Sequence, residues 1–231
     1  MSSIKPENIL FLDIETAPIQ YQYTSLSPAE KDLWDKKWSY NRELDPAQQY
    51  TKAGVYAEFA KVICIGLGYL SEGKFRTRCI AGDDEKALLK EFSELLSAHF
   101  NTSNHYLCAH NGKEFDYPFL CRRMLVNGLP LPKLLQIQGM KPWEVKHLDT
   151  MELWRFGDIK NFTSLNLLAH VFGIPSPKDD IDGSQIGRVY HEEKNMERIK
   201  SYCIKDVVTL AKIYQSLRGL PVLKDEDIVY A

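Results

Sequence analysis

The chain has 231 residues, 44% hydrophobic and 26% charged, which suits one large or two small soluble domains with a substantial core. Lysine and arginine number 29 against 31 aspartates and glutamates, a net charge of −2, so a uniformly basic surface for nucleic acid is excluded while a local basic patch is not. No apolar run approaches the roughly 20 residues that span a bilayer, and the N-terminus MSSIKPEN has no apolar signal core. Cys64, Cys79, Cys108, Cys121 and Cys203 form no CxxC pair; the expectation is a reducing, cytoplasmic setting with no membrane partner.

In chain order, the apolar run Ile9-Leu10-Phe11-Leu12 sits in a predicted strand over 8–14. Residues 20–58 break the pattern with Trp34, Trp38 and a mixed-charge helix near 29–37, and read as an insertion packed on the core, either a lid or a structural excursion. Strands over 61–70 and 74–80 flank the short turn Ser71-Glu72-Gly73, a hairpin signal. An amphipathic helix over 83–100 follows, then a strand over 106–109, a loop over 110–114 and a helix over about 117–126. A fifth strand ends at HLDT (147–150); helices cover 164–172, closed by Gly173, and 195–217, closed by Gly219 and Pro221. The order is that of an α/β protein with a mixed sheet, read as one domain over 1–231. Gly66-Leu67-Gly68 follows a strand as a dinucleotide fingerprint does, but position 71 is Ser and a hairpin replaces the required helix, so no nicotinamide site is expected.

Three places carry acids in unusual company. Asp13 and Glu15 lie two apart in a strand and point to one face, where two carboxylates repel unless something positive lies between them. Asp116 ends HNGKEFD, just after the fourth strand, and Tyr202 and Asp206 in SYCIKDVVTL share a helical face. Singly, each has a plain alternative: a chance Asp-x-Glu pair, a helix cap at Asp116, one of the many i,i+4 pairs of a long helix. Jointly they place four oxygen donors where open α/β sheets hold their sites. Hard oxygen donors without Cys or His point to Mg²⁺ or Mn²⁺, and two such ions roughly 3.5–4 Å apart clamp an in-line phosphoryl displacement.

DIET (13–16), NGKEFD (111–116) and YCIKD (202–206), in this order and spacing, resemble the motifs of the ribonuclease H-like 3′–5′ exonucleases of the DEDD group. Tyrosine four residues before the last acid resembles the tyrosine subtype (DEDDy), and Asn-x-x-x-Phe-Asp is similar to the proofreading exonuclease domain of family B DNA polymerases. The resemblance covers essentially the whole chain and implies a ribonuclease H-like fold with a mixed five-stranded sheet flanked by helices. It implies a stand-alone, bacterial-type relative that hydrolyses terminal phosphodiesters at single-stranded 3′ ends, DNA favoured over RNA, to nucleoside 5′-monophosphates. Two divalent cations, Mg²⁺ or Mn²⁺, are implied as cofactors.

On this resemblance Asp13, Glu15, Asp116 and Asp206 would hold the ions, and Tyr202 would position or help deprotonate the attacking water. Thr16 and Ala17 would touch the terminal nucleotide through backbone groups, and Asn111 would brace its sugar or phosphate. Phe115 would pack against the last bases or belong to the core. Lys160 and Asn161 would contact backbone phosphates, the alternative being a solvated loop in which Thr163 caps the next helix. Asp149 reads as a second-shell or turn residue, and His110 as a hydrogen-bonded loop residue. Lys31, Lys36, Lys37 and Arg42 would guide a strand or form a solvated face. Two rivals stand beside this reading: a non-catalytic nucleic-acid-binding module, against which the retention of all four acids weighs, and a structure-specific endonuclease, in which Tyr202 has no special task.

Overall fold

Every apolar residue of the first strand is buried, because the strand lies in the middle of a sheet covered on both faces. The computed structural model describes residues 4–39, 45–158, 160–175 and 181–230. Among them, strands β1 (Ile9–Pro18), β2 (Ala60–Ser71), β3 (Lys74–Ala81), β4 (Tyr106–Ala109), β5 (Leu148–Asp149) and β6 (Ile228–Val229) form one sheet in the order β5-β4-β1-β2-β3-β6. β1, β2 and β3 are antiparallel neighbours; β4 runs parallel to β1, β5 to β4 and β6 to β3. The α-helices are α1 (Pro28–Trp38), α2 (Pro46–Gln49), α3 (Glu85–His99), α4 (Asp116–Val126), α5 (Thr150–Arg155), α6 (Leu165–Val171), α7 (Ile186–Arg188) and α8 (Met196–Leu217). None of them is long and apolar enough to cross a membrane.

The expected elements are present, and the sheet gains a sixth strand. β6 is only two residues long and pairs with Phe75 and Arg76, too short to leave a periodic signal in the sequence. The β2–β3 turn is a tight hairpin in which Glu72 and Gly73 both take positive φ, 53° and 75°, the conformation two-residue hairpins require. Helix starts follow local capping chemistry: Asp84 accepts from the Ala87 amide, Asn195 from that of Arg198 and Ser164 from that of Leu167. Ser164 thus caps α6, and Thr163, the expected cap, is turned inward instead.

Alternation along β1 sorts the core into two layers. Leu10, Leu12 and Ile14 face α3 and α4, in one cluster with Leu88, Leu89, Phe92, Phe119 and Leu120. Ile9 and Phe11 face α8, against Val207, Leu210, Ala211 and Tyr214. α8 lies very close to β2. A Cβ on Gly66 would come within 2.8 Å of the Cys203 Sγ, and one on Gly68 within 2.7 Å of Val207 Cγ1. The two glycines that imitate a dinucleotide motif therefore exist to admit a helix.

The 20–58 insertion has its own aromatic core, with Trp34 enclosed by Trp38, Tyr50, Tyr56 and Phe59. α1 opens on a reciprocal Ser27–Glu30 capping box. The exit of the insertion is fastened by a buried ion pair. Glu85 accepts from Arg123 at 2.9 and 2.6 Å and from the Val62 amide at 2.8 Å, while Arg123 donates to the Ala57 carbonyl at 2.8 Å. On α1, Lys36 pairs with Asp32 and Lys37 lies over Tyr56, the pattern of a solvated face; Arg42 lies outside the described residues.

His147 anchors the start of β5. Its Nδ1 accepts from the Leu107 amide at 3.2 Å, so Nε2 carries the proton and donates to the Leu134 carbonyl at 2.7 Å. Burial holds its pKa down at about 4, below the ordinary 6.5. Between these values the unfolded chain takes up a proton that the folded one refuses, so this contribution is present above pH 6.5 and lost as pH falls toward 4. At 1.36 kcal/mol per unit it amounts to about 3 kcal/mol at most. Thermal melting of the wild type and His147→Gln should show a gap at pH 7.5 that narrows at pH 4.5; a gap independent of pH would contradict this account.

Candidate active site

The site forms where β1 outruns β4. Their parallel pairing stops at Phe11 and Cys108, whereas the pairing of β1 with β2 continues to Pro18. Beyond Phe11 one edge of β1 is left without a strand partner, and its amides need other acceptors. Asp116 supplies one: its Oδ1 accepts from the Ile14 amide at 3.2 Å. Asp13 and Glu15 flank Ile14 and point to the opposite face from it, toward α8, which carries Tyr202 and Asp206. Just past Glu15 the register shifts, with Glu15 opposite Cys64 but Thr16 opposite Val62, a bulge of the kind that re-aims side chains beside sites.

The loop that delivers Asp116 is held by Asp149. The Asp149 carboxylate, 3% exposed, accepts from the amides of Asn111 at 3.0 Å, Lys113 at 3.1 Å and Met151 at 2.9 Å, capping α5 and pinning the loop to it. Asn111 takes a left-handed φ of 61°, and a Cβ at Gly112 would lie 2.4 Å from that of Ala109. The NG pair is thus a steric requirement of the turn. His110 ties the loop onward, with Nδ1 to Thr150 Oγ1 and Nε2 to the Thr163 carbonyl, both at 2.9 Å.

The electrostatics are those of crowded carboxylates. Burial first, then the charges of Glu15, Asp206 and Asp116, push the Asp13 carboxyl well above its ordinary range. Burial and then Asp206 do the same to Glu15, which is 6% exposed. Asp116, 4% exposed, is pushed up to about 7, chiefly by burial, with the Ile14 amide pulling the other way. The Tyr202 phenol is driven up by burial and then by Asp206, to which it is also hydrogen-bonded, so it stays protonated at neutral pH. The five residues singled out from the sequence thus act on one another in space.

One group escaped that reading. Cys203, adjacent to Tyr202, places its thiol 3.5 Å from both the backbone oxygen and Oδ2 of Asp13. The donor atoms of Asp13, Glu15 and Cys203 all lie within 4.8 Å of one another, close enough to surround a cation. A buried thiol, its pKa raised by burial, thus backs the first acid. The signal in the sequence was its position four residues before Val207, on the face of α8 that packs against Gly66 and Gly68.

The remaining expected residues divide. Asn111 and Phe115 adjoin the site half-buried, and Phe115 also packs on Phe119 and the α3–α4 core layer. Thr16 spends its hydroxyl on the Gly54 carbonyl at 2.7 Å, and Ala17 is fully enclosed, its backbone opposite Lys61 in the β2 ladder, so Ala17 offers no surface to a nucleotide. Lys160 and Asn161 are exposed; the Asn161 carbonyl accepts from Arg155 at 2.9 Å.

Because Asp116 has a pKa near 7 in the fold against 3.8 ordinarily, the metal-free fold is favoured below about pH 4 and that advantage is lost as pH rises through 7. Asp116→Asn keeps an oxygen for the Ile14 amide while removing the charge. In EDTA at pH 8 it should melt several degrees above the wild type, with the gap narrowing as pH falls and closing near pH 4. A lower melting temperature at pH 8 would contradict the crowding of charge.

A solved family B DNA polymerase from the hyperthermophilic archaeon Pyrobaculum calidifontis superposes with a TM-score of 0.57 over 91% of this chain at 14% sequence identity. The matched part is 24% of that polymerase, so the chain spans about a quarter of its length, and the likeness is one of fold. Residues 55–220 match the family described as a predicted 3′–5′ exonuclease related to the exonuclease domain of PolB, a span that includes Asp116, Tyr202 and Asp206 and begins beyond Asp13 and Glu15. The chain belongs to that family, of predicted 3′–5′ exonucleases related to the exonuclease domain of PolB.

Proposed function

We propose that the protein is a metal-dependent 3′–5′ exonuclease of the tyrosine subtype, acting on single-stranded nucleic acid ends, DNA favoured. The observation that carries this reading is the convergence of Asp13, Glu15, Asp116 and Asp206 with Tyr202 in a buried, charge-crowded cluster. Crowded carboxylate oxygens with raised proton affinity at Asp13, Glu15 and Asp116 suit hard divalent ions, and Asp13, Glu15, Asp116 and Asp206 would hold two of them, Mg²⁺ or Mn²⁺. Bound there, such ions would supply hydroxide at neutral pH and stabilise the leaving 3′ oxygen.

The chain's own groups do the rest. Tyr202 keeps its proton and gives it to Asp206, so its phenol oxygen would accept a hydrogen bond from the attacking water and orient it beside that acid, without acting as a base. Asp116 ties its position to β1 through the Ile14 amide, fixing one carboxylate relative to the other two. Asn111, on a turn held by Asp149, would brace the terminal sugar or phosphate; Phe115 would lend its exposed edge to the last bases. Lys160 and Asn161, exposed on a loop linked through Thr163 to His110, would meet backbone phosphates farther along the strand.

A 5′-labelled oligonucleotide incubated with Mg²⁺ or Mn²⁺ should give a ladder shortening from the 3′ end. EDTA or Asp13→Ala should abolish it, and Tyr202→Phe should lower kcat by about 10²-fold with little change in KM, the low end of the range for a lost proton-handling group. Internal cleavage products, or a ladder undiminished in Asp206→Ala, would overturn the reading.

A further inference from the structure

Three cysteine thiols stand in a row behind the acids. Cys64 on β2 lies opposite Ala81, and Cys79 on β3 lies opposite Gly66, so the two cysteines are diagonal neighbours on one face of the hairpin. Their sulfurs are 3.0 Å apart. The Cys64 thiol is also hydrogen-bonded to that of Cys203, which reaches Asp13 Oδ2 at 3.5 Å. The row thus runs from the first acid to Cys79, the one member of the three that is not buried. Cys79 also lines a cavity of about 520 Å³ beside β3, together with Tyr69, Arg76, Arg78 and Glu91. Arg76 is paired with Glu72 and Arg78 with Glu91, so nothing in the charge of these walls selects an ionic reagent over a small neutral one.

A disulfide bond is about 2 Å long, so closing one between Cys64 and Cys79 brings the sulfurs together by about 1 Å. That movement draws Cys64 away from Cys203 in a part of the molecule without slack. A Cβ on Gly66 would lie only 2.8 Å from the Cys203 sulfur. Cys64 is also the residue opposite Glu15, at the register shift of β1. Oxidation of the pair therefore bears on both Asp13 and Glu15.

We propose that Cys64 and Cys79 form a reversible, oxidation-driven disulfide that loosens the hold of Asp13 and Glu15 on divalent ions. The oxidant is a peroxide. It passes one oxygen to the Cys79 sulfur, its O–O bond breaks, and the remainder leaves as water or an alcohol with the thiol proton. The Cys64 sulfur then displaces the new hydroxyl as water, forming the S–S bond, so two electrons have moved from the pair to the peroxide. Two molecules of a small thiol reverse the step and leave as their own disulfide. The hydrogen bond to Cys64, and then burial, keep Cys79 in its thiol form at neutral pH, so the pair is slow and answers to sustained oxidation. The bond stands on the geometry of the thiols alone; its effect on cleavage rests on the exonuclease reading above.

The test compares protein treated with hydrogen peroxide and quenched with catalase against protein kept in dithiothreitol. Linked cysteines are mapped by mass spectrometry after alkylation, Mn²⁺ affinity is measured by calorimetry, and cleavage of a 5′-labelled oligonucleotide is followed on gels. Peroxide should link Cys64 to Cys79. It should weaken Mn²⁺ affinity and kcat/KM by about tenfold each, within the reach of a shift of about 1 Å or less at reacting groups. Dithiothreitol should reverse all three changes. Cys79→Ser should start with wild-type activity and keep it through the same treatment. A link between Cys64 and Cys203, no link at all, a link that leaves Mn²⁺ affinity unchanged, or an equal loss in Cys79→Ser overturns the inference. A reduced protein that binds Mn²⁺ but cleaves no strand overturns the exonuclease reading, and the peptide map with the Mn²⁺ affinities still decides for or against the pair.

Discussion

The Ile14 amide donating to the Asp116 carboxylate is the contact on which the rest of the site depends. It joins two segments 102 residues apart at the point where β4 stops covering β1. A strand edge with an unpaired amide in a buried place must find an acceptor, and here the acceptor is an acid. The sheet thereby recruits a third carboxylate beside two that already share a face. The hydrogen bond partly offsets the burial of Asp116 but adds to the negative charge around Asp13. Burial and the crowding of like charge together raise the proton affinity of Asp13, Glu15 and Asp116.

Much of this was legible in residue order. Alternation placed Asp13 and Glu15 on one face, helical spacing placed Tyr202 beside Asp206, and the apolar run of β1 marked a central strand. What the sequence could not convey were distances between elements. The approach of α8 to β2 is visible only in three dimensions, so Gly66 and Gly68 looked like a failed nucleotide motif and Cys203 like an ordinary core thiol. The full burial of Ala17, opposite Lys61 in the β2 ladder, is likewise visible only in the fold. β6 went unseen because two residues carry no period. Asp149 read equally as a turn residue or a supporting group, and three backbone amides converging on it decide for the latter.

The insertion changes meaning once its packing is known. Its Trp34-centred core makes it a folded unit, and the Glu85–Arg123 pair fastens its exit to β2, α3 and α4. A segment so held is suited to forming a wall at the end of β1, next to the acids. The same strand carries Asp13 and Glu15 and, just beyond them, Thr16 and Pro18 at the wall of a cavity.

The central claim is that the four acids form one cage for divalent ions. Anomalous diffraction from crystals soaked in Mn²⁺ tests it most directly. The account predicts two manganese peaks within coordination distance of Asp13, Glu15, Asp116 and Asp206, and their loss in Asp13→Asn. Manganese bound elsewhere with the four carboxylates left without metal would contradict it.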